Sequence, residues 1–407
     1  MPSESQIPIA SHAVSRRFGI RLALFYGTVL GLVGTQLPFF PVWLKSIGLD
    51  ASWIGLITAV PSLSRFTVLP FVTNSAERYH ALRGTMILTA CATAFGFAAL
   101  GALGALQPPL AILIVFALTA CVWTPLVPLT DGYALKGVIR YGLHYGPLRM
   151  WGSAAFVLGA LVNGVLADVL APQHLIWVIV AVAGLGALVS FGLQPLDTPK
   201  LAAGPPAGGA ALLRDPGFLA ILVAAALIQG SHAAYYTFAS ITWQASGLGG
   251  LTIAGLWVLG VCGEIVIFAI SPRFTLPPAL LMVIGGLCAV VRWLMTAQEP
   301  PVALLAAVQM MHGLTYGLTQ VGTMELLVRR VPGHVTARAQ GYLTACIGIA
   351  MSCVAILSGL IYAQYGSTVY YAMAAVALAG ALVIWLARHQ ADPPFNRDQP
   401  QNAASGG

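Results

Sequence analysis

A few charged side chains interrupt an otherwise strongly apolar sequence, and they are the residues best placed to do chemistry. Glu264 lies near the middle of the uncharged run 251–271, and Arg292 lies near the middle of the run 277–297. A carboxyl group at such a position can gain or lose a proton with its access to water, as a proton carrier requires. An arginine there suits an anionic substrate or a carboxylate partner. The alternative for Glu264 is a structural role, in which the neutral group holds two helices together.

Other charges lie closer to the ends of their apolar runs. Asp131 and Arg149 have opposite signs, and they predict either a salt bridge or direct contact with a substrate. Arg65 could extend its guanidinium to the membrane surface. Glu325 precedes Arg329 by four residues, the spacing of an ion pair on one face of a helix. Arg65, Asp131 and Glu325 are therefore predicted to be structural or gating charges, and Asp131 is also a candidate proton site beside Glu264.

The run 216–244 is too polar for a helix that faces only lipid. Gln229, His232, Tyr235 and Tyr236 recur at spacings of three or four residues and can share one face. Aromatic rings with a polar tip suit a cavity that binds a small, partly apolar organic solute. The alternative is an aromatic belt at the membrane surface, which explains Trp243 better than Tyr235.

The elements that must position these side chains are long apolar segments. The chain is 58% hydrophobic and 8% charged, far below the charge content of about 25% typical of soluble proteins. A helix needs roughly 20 apolar residues to cross a bilayer, and the chain contains about twelve such runs. We therefore predict an all-α membrane protein with 12 transmembrane helices. The predicted spans are 19–44, 52–73, 84–105, 109–135, 146–170, 174–194, 216–244, 251–271, 277–297, 301–327, 336–364 and 367–388.

The distribution of positive charge predicts the topology. With twelve spans, sixteen of the 19 Lys and Arg residues fall on one side, Lys45 falls on the other, and Arg65 and Arg292 lie within spans. The positive-inside rule then places both termini in the cytoplasm. The predicted domains are a cytoplasmic tail over 1–18, a six-helix half over 19–194, a flexible central cytoplasmic loop over 195–215, a second six-helix half over 216–388, and a disordered cytoplasmic tail over 389–407.

Several function classes have no support in the sequence. A GxxxxGK[ST] phosphate-binding loop is absent, so an ATP-driven pump is not expected. The six cysteines lie in apolar runs without CxxC spacing, and no cluster of metal ligands or GxSxG nucleophile occurs. We expect no enzyme activity, no metal and no cofactor, with a proton gradient as the driving force. The net charge of +7 follows from topology and does not indicate nucleic acid as a partner.

Several stretches resemble the 3-phenylpropionic acid permease branch of the major facilitator superfamily, a relative of lactose permease. Such transporters have two six-helix halves with the substrate site between them. The matching stretches cover nearly the whole chain, and they are Leu37–Leu49, Pro125–Asp131, Tyr145–Ser153, Gln229–Gly247, Gly263–Ser271, Val291–Trp293 and His312–Gly317.

The fainter similarity to lactose permease implies roles for individual residues. Asp131 and Arg149 have the eighteen-residue separation of its essential acid–arginine pair, and Glu264 resembles its sugar-site glutamate. Arg292 and His312 match its helix-nine arginine and helix-ten histidine. Two positions depart from that pattern: Thr315 stands where lactose permease has a glutamate, and Gln309 replaces a lysine. Its proton site is therefore not transferred intact, which leaves Glu264 or Asp131 as the proton carrier. The predicted substrate-binding residues are Arg149, Trp151, Gln229, His232, Tyr235, Tyr236, Glu264, Arg292 and His312.

The expected function is secondary active transport by alternating access in a bacterial inner membrane. The resemblance implies proton-coupled uptake of an aromatic carboxylate such as a phenylpropionate. The alternatives are a proton symporter for nucleosides or sugars and an efflux permease, and an exporter of cationic drugs would have no need for Arg292. The expected partners are a small organic solute, protons and the lipid bilayer, with no nucleic acid and no obligate protein partner.

Overall fold

The computed structural model describes residues 12–79, 81–106, 108–143, 145–196, 209–331 and 335–392. The expected disorder of the tail over 389–407 therefore concerns residues that lie almost entirely outside the described part of the chain. The same is true of most of the tail over 1–18 and most of the central loop over 195–215.

The described residues form a bundle of α-helices. In chain order the helices are α1 (His12–Ser46), α2 (Ala51–Thr67), α3 (Leu69–Arg78), α4 (Leu82–Gly104), α5 (Pro109–Trp123), α6 (Leu126–Tyr141), α7 (Tyr145–Val169), α8 (Leu175–Ser190), α9 (Pro216–Gly230), α10 (Ala233–Ala245), α11 (Gly250–Ile270), α12 (Pro278–Thr296), α13 (Val302–Met310), α14 (Leu318–Arg330), α15 (Thr336–Tyr365) and α16 (Val369–Ala391). Ten stretches of the described chain are long and apolar enough to cross a membrane, or eleven when the bent pair α2–α3 is included. One of the ten, Arg338–Ala391, contains most of α15 and all of α16.

Four of the predicted spans are broken helices. The chain bends by 43° between α2 and α3, and α5 ends just before Pro125, which cannot donate a backbone hydrogen bond. The span over 216–244 breaks at Ser231 and His232, between α9 and α10. The span over 301–327 contains a π-helical turn at Gly313–Gly317, between α13 and α14. Apolar periodicity does not reveal such breaks, because the residues on both sides of each break are apolar.

The helices form two halves, α1–α8 and α9–α16, that share a hydrophobic core at only one end of the molecule. This common core joins Phe39, Trp43 and Ile54 of the first half to Phe238 and Val354 of the second. We call this end, where the turn between α1 and α2 lies, the closed end.

Towards the opposite end each half has its own core. One is built around Phe18, Tyr26 and Tyr133, and the other around Phe218 and Leu326, and neither contains a residue of the other half. The halves therefore diverge away from the closed end. We call the space between them the central cleft.

Close backbone contacts hold the closed end together. A Cβ atom on Gly250 of α11 would clash with the carbonyl oxygen of Gly164 on α7, so only glycine allows these helices to approach so closely. The Asp168 carboxylate accepts hydrogen bonds from the backbone nitrogens of Gly250 (2.5 Å) and Leu251 (3.0 Å). Asp168 thus caps the first turn of a helix that belongs to the other half.

Candidate substrate and proton site

Glu264 lies in the third quarter of α11, close to His312 of the second half. It follows Gly250 by fourteen residues, close to four helical turns, so both residues lie on the side of α11 that faces the first half. Its Oε2 atom is 3.7 Å from Nε2 of His312, and 27% of the side chain is exposed. This carboxyl group therefore combines partial access to the central cleft with one close polar neighbour.

A tight contact between two glycines brings Glu264 and His312 together. Gly313, the first residue of the π-helical turn, packs against Gly263 so closely that a Cβ atom on either would clash with backbone. Each glycine is adjacent in sequence to one of the two functional side chains. The glycine contact therefore sets the distance between Glu264 and His312.

Arg292 is completely buried among neutral groups. Its Nη1 atom donates to Nδ1 of His312 (2.9 Å) and its Nη2 atom donates to Oε1 of Gln309 (3.0 Å). The guanidinium also stacks on the rings of Tyr235 and Trp293, at 4.6 and 4.7 Å from their centroids. Among the described residues no carboxylate lies within 4.0 Å of Arg292, contrary to one of the two roles expected from the sequence.

These contacts fix the hydrogen positions on the two histidines. Arginine nitrogens can only donate, so Nδ1 of His312 must accept and its proton must lie on Nε2, the atom that faces Glu264. In His232, Nδ1 lies 3.1 Å from the carbonyl oxygen of Ile228 and must donate, and Nε2 lies 3.0 Å from the Thr315 hydroxyl. The His312 ring is therefore neutral, and its N–H is directed towards the Glu264 carboxyl.

Aromatic rings surround this network. Tyr235 packs between Trp257 and Trp293 and is almost fully buried, whereas Tyr236 is partly exposed. The ring of Tyr316, also partly exposed, stacks on His312 with 5.4 Å between centroids. Tyr236 and Tyr316 can therefore contact a solute in the central cleft, and Tyr235 and His232 support the site from behind.

A second polar cluster lies in the first half. The Asp131 carboxylate accepts from the hydroxyls of Tyr26 (2.6 Å) and Tyr145 (2.9 Å), and it lies 3.8 Å from Nε of Arg149. Asp131 and Arg149 are 34% and 32% exposed, and Arg149 lies over the Tyr26 ring. The predicted approach of Asp131 to Arg149 is thus present, and both side chains remain partly accessible.

The other predicted site residues lie apart from these clusters. Gln229 is buried and donates to Gln320 at 3.0 Å, and Trp151 is 59% exposed on α7. Glu325 lies 3.5 Å from Arg329, as their four-residue spacing predicts. Arg65 is exposed on α2, and no contact to it within hydrogen-bonding distance is present among the described residues.

Sequence reasoning missed several residues of the site. Tyr26 is distant in sequence from Asp131, and nothing in its own helix indicates the contact. Gln309 and Thr315 depart from the pattern of lactose permease, and both bind Arg292. Asp168 lies inside the predicted span 146–170, and a carboxyl group at such a position indicates a polar partner. The sequence therefore contained a sign of this contact. Within the described ranges no group of three His, Cys, Asp or Glu side chains is arranged to hold a metal ion.

Comparison with known proteins identifies the family. Residues 19–373 match the MFS_1 like family. The chain is 33% identical over 373 residues to a probable 3-phenylpropionic acid transporter of Escherichia coli (strain K12), covering 88% of this chain and 94% of the relative. It is 26% identical over 327 residues to the maltose permease of Geobacillus stearothermophilus, covering 78% and 80%.

A solved structure supports the same fold. The crystal structure of the nucleoside transporter NupG aligns with a TM-score of 0.81 at 15% identity, covering 91% of this chain and 98% of that chain. The family match and the relative at 33% identity together extend over most of the sequence. The chain is therefore a multi-pass membrane transporter of the MFS_1 like family within the major facilitator superfamily, and not an enzyme.

Proposed function

We propose that this protein imports a small aromatic carboxylate, such as a phenylpropionate, together with a proton across a bacterial inner membrane. Glu264 is the proposed proton carrier, and the aromatic wall around Tyr236 and Tyr316 is the proposed contact for the ring of the substrate. The most similar relative described above is a probable 3-phenylpropionic acid transporter, which supports this substrate class.

The environment of Glu264 is the observation that carries the proposal. Its close polar neighbour is the neutral His312, so Glu264 can take up a proton without leaving a cation unpaired. Asp131 differs, because its protonation would weaken its pairing with Arg149 and leave that guanidinium without a charged partner. Glu264 is also close enough to the central cleft to exchange a proton with water. Between the two carboxyls proposed from the sequence, Glu264 is therefore the better proton carrier.

The architecture supports alternating access. We propose twelve crossings with both termini in the cytoplasm, so that the closed end faces outward and the central cleft opens inward. A switch to the outward-facing state would separate the shared core around Phe39 and Phe238 and bring together the two cores at the opposite end. The excess of Lys and Arg near the open end agrees with the positive-inside rule.

The direct test is uptake of labelled 3-phenylpropionate by the purified protein in liposomes with an acidic exterior. The neutral acid can cross lipid and accumulate by itself in such a gradient, so protein-free liposomes must be subtracted. The expected result is a saturable, protein-dependent uptake that is abolished by a protonophore. A protein-dependent accumulation that survives the protonophore would contradict proton coupling.

Sugar or nucleoside symport is the second candidate, and the maltose permease relative favours the sugar. The same liposomes should therefore be offered maltose and uridine. Uptake of either with no saturable uptake of arylpropionates would replace the proposed substrate class. Resistance of expressing cells to several unrelated toxins, without uptake of any organic acid, would instead indicate an efflux permease.

A further inference from the structure

We propose that Arg65, and not Arg292, binds the anionic group of the substrate. The inference rests on the proposed function, because it requires a substrate that carries an anion. It assigns a binding role to a residue that the sequence alone placed among the structural or gating charges.

The position of Arg65 on α2 directs its side chain into the central cleft. Arg65 follows Thr58 by seven residues, about two helical turns, so the two side chains share one face of α2. The Thr58 hydroxyl is 3.0 Å from the hydroxyl of Thr237 on α10, so this face looks towards the second half. Two turns further from the closed end, the same face of α2 presents Arg65.

The neighbours of Arg65 along the helix confirm this orientation. Ser64 is buried and bonds to Thr124 at 2.8 Å, towards α5 of its own half. The Phe66 ring would clash with a Cβ atom at Gly348, so Phe66 points towards α15. The exposed residues at this level are Leu63, Arg65 and Thr67. Leu63 and Thr67 are four residues apart and share one side of α2, whereas Arg65 lies on the other side, the side of Thr58 that faces the second half.

Among the described arginines of the central region, Arg65 is exposed and has no bonding partner, whereas the one unpaired donor of Arg292, its Nε, is buried. Arg292 already donates to His312, Gln309 and Thr315 in a fully buried pocket, and Arg149 is paired with Asp131. Within the described residues no hydrogen-bond acceptor or carboxylate lies within bonding distance of Arg65. A guanidinium with a free planar fork is suited to hold a carboxylate through two parallel hydrogen bonds.

The opposite wall of the cleft completes a site for an aryl carboxylate. Tyr316, on the π-helical turn of the second half, is partly exposed and stacks on His312, the close neighbour of Glu264. A solute whose carboxylate binds Arg65 can therefore place its ring against Tyr316 and Tyr236, next to Glu264. Such a solute would contact both halves at once, which is the arrangement that alternating access requires.

The test compares 3-phenylpropionate with its neutral amide, 3-phenylpropanamide, as competitors of labelled 3-phenylpropionate uptake in proteoliposomes. The wild type should bind the acid at least about tenfold more tightly than the amide, since a charge-assisted hydrogen bond is worth more than about 1.5 kcal/mol. Arg65→Gln should reduce this preference to about twofold or less, and Arg65→Lys should restore part of it. Arg388→Gln, on an exposed arginine near the end of α16, is the matched control and should leave the preference unchanged.

The outcomes separate the two proposals. If the wild type prefers the acid and Arg65→Gln retains that preference, the assignment of Arg65 is wrong while the proposed function stands. If Arg292→Gln, in protein that remains folded and monodisperse, abolishes the preference while Arg65→Gln does not, Arg292 is the anion site. If the wild type takes up no organic acid, the proposed function fails and the anion role of Arg65 fails with it.

Discussion

Glu264 and Asp131 carry the same functional group in contrasting surroundings. Asp131 has two tyrosine hydroxyls and an arginine around it, whereas Glu264 lies 3.7 Å from the neutral His312. Only the second arrangement leaves the carboxyl group free to change charge at little cost to its neighbours.

The variant Glu264→Gln tests this difference at the level of one residue. Glutamine keeps the size and hydrogen bonding of the side chain but cannot titrate. We expect uptake driven by a pH gradient to fall to the level of simple equilibration, while exchange of labelled for unlabelled substrate continues. Glu325→Gln, which alters a carboxyl in an exposed ion pair, is the control and should accumulate substrate normally. Normal accumulation by Glu264→Gln would return that residue to a structural role.

The pair Asp131 and Arg149 makes a separate prediction. Asp131→Asn and Arg149→Gln should each slow uptake strongly, because each leaves its partner unpaired. The double variant should be less impaired than the two losses combined, with an interaction energy of about 0.5–3 kcal/mol. Partial exposure of both side chains favours the lower part of that range.

The measurement for this pair is a double-mutant cycle on initial uptake rates. The exposed pair Glu325 and Arg329 is the matched control and should show an interaction of only about 0–1 kcal/mol. Additive losses at Asp131 and Arg149 would mean that the two residues act independently.

Residue patterns predicted those parts of the site that depend on local spacing. Glu325 and Arg329 lie on one helix, where four-residue spacing determines contact. The hydrogen-bond partners and the burial of Arg292 could not be predicted from local spacing. Its partners come from the helix span over 301–327, and complete burial changes it from an accessible cation into a group whose two terminal nitrogens are bonded and whose Nε is buried without a partner.

Helix packing positions the proton site through the contact between Gly263 and Gly313. Gly313→Ala introduces a methyl group against the backbone of α11 and must push that helix away from the π-helical turn. We expect a loss of stability of about 1–3 kcal/mol from overpacking, together with slower proton-coupled uptake as Glu264 and His312 separate. Thermal unfolding in detergent and uptake in liposomes measure the two effects.

The same helix provides a control for that variant. Gly255 of α11 has open space where a Cβ atom would be placed, so Gly255→Ala should not lower stability, because alanine is the better helix former. If both variants unfold at the same temperature as the wild type, the close packing at Gly313 does not exist.

At the scale of the helices, the sequence predicted where helices lie, but the breaks near His232 and Gly313 depend on packing between helices that are distant in the chain.

At the scale of the whole molecule, a mainly apolar seal joins the two halves, and Asp168 adds a charged contact to it. Hydrophobic and backbone packing joins the halves at the shared core, and the hydroxyls of Thr58 and Thr237 bond between them. Asp168 adds hydrogen bonds from a carboxylate to the first turn of α11. Because α7 carries Arg149 and α11 carries Glu264, this contact joins two of the helices that bear predicted site charges. The sequence predicted two halves, but it could not show which end of them is closed, since that depends on contacts between residues such as Asp168 and Gly250.

The last prediction is that Asp168→Ala shifts the protein towards the state in which the closed end is open. The loss of a helix cap costs about 0.5–2 kcal/mol, and here that cost falls only on the closed arrangement, since the cap joins the two halves. The reporter is Thr237→Cys in a variant that lacks the six native cysteines. Its thiol should react severalfold faster with a membrane-impermeant reagent that is added from the side of the closed end. Asp50 caps α2 within its own half at the same end of the molecule, so Asp50→Ala removes a comparable cap without affecting the contact between halves. Equal reactivity in the two variants would show that Asp168 stabilises α11 alone, whereas a selective increase with Asp168→Ala would identify it as the polar latch of the closed end.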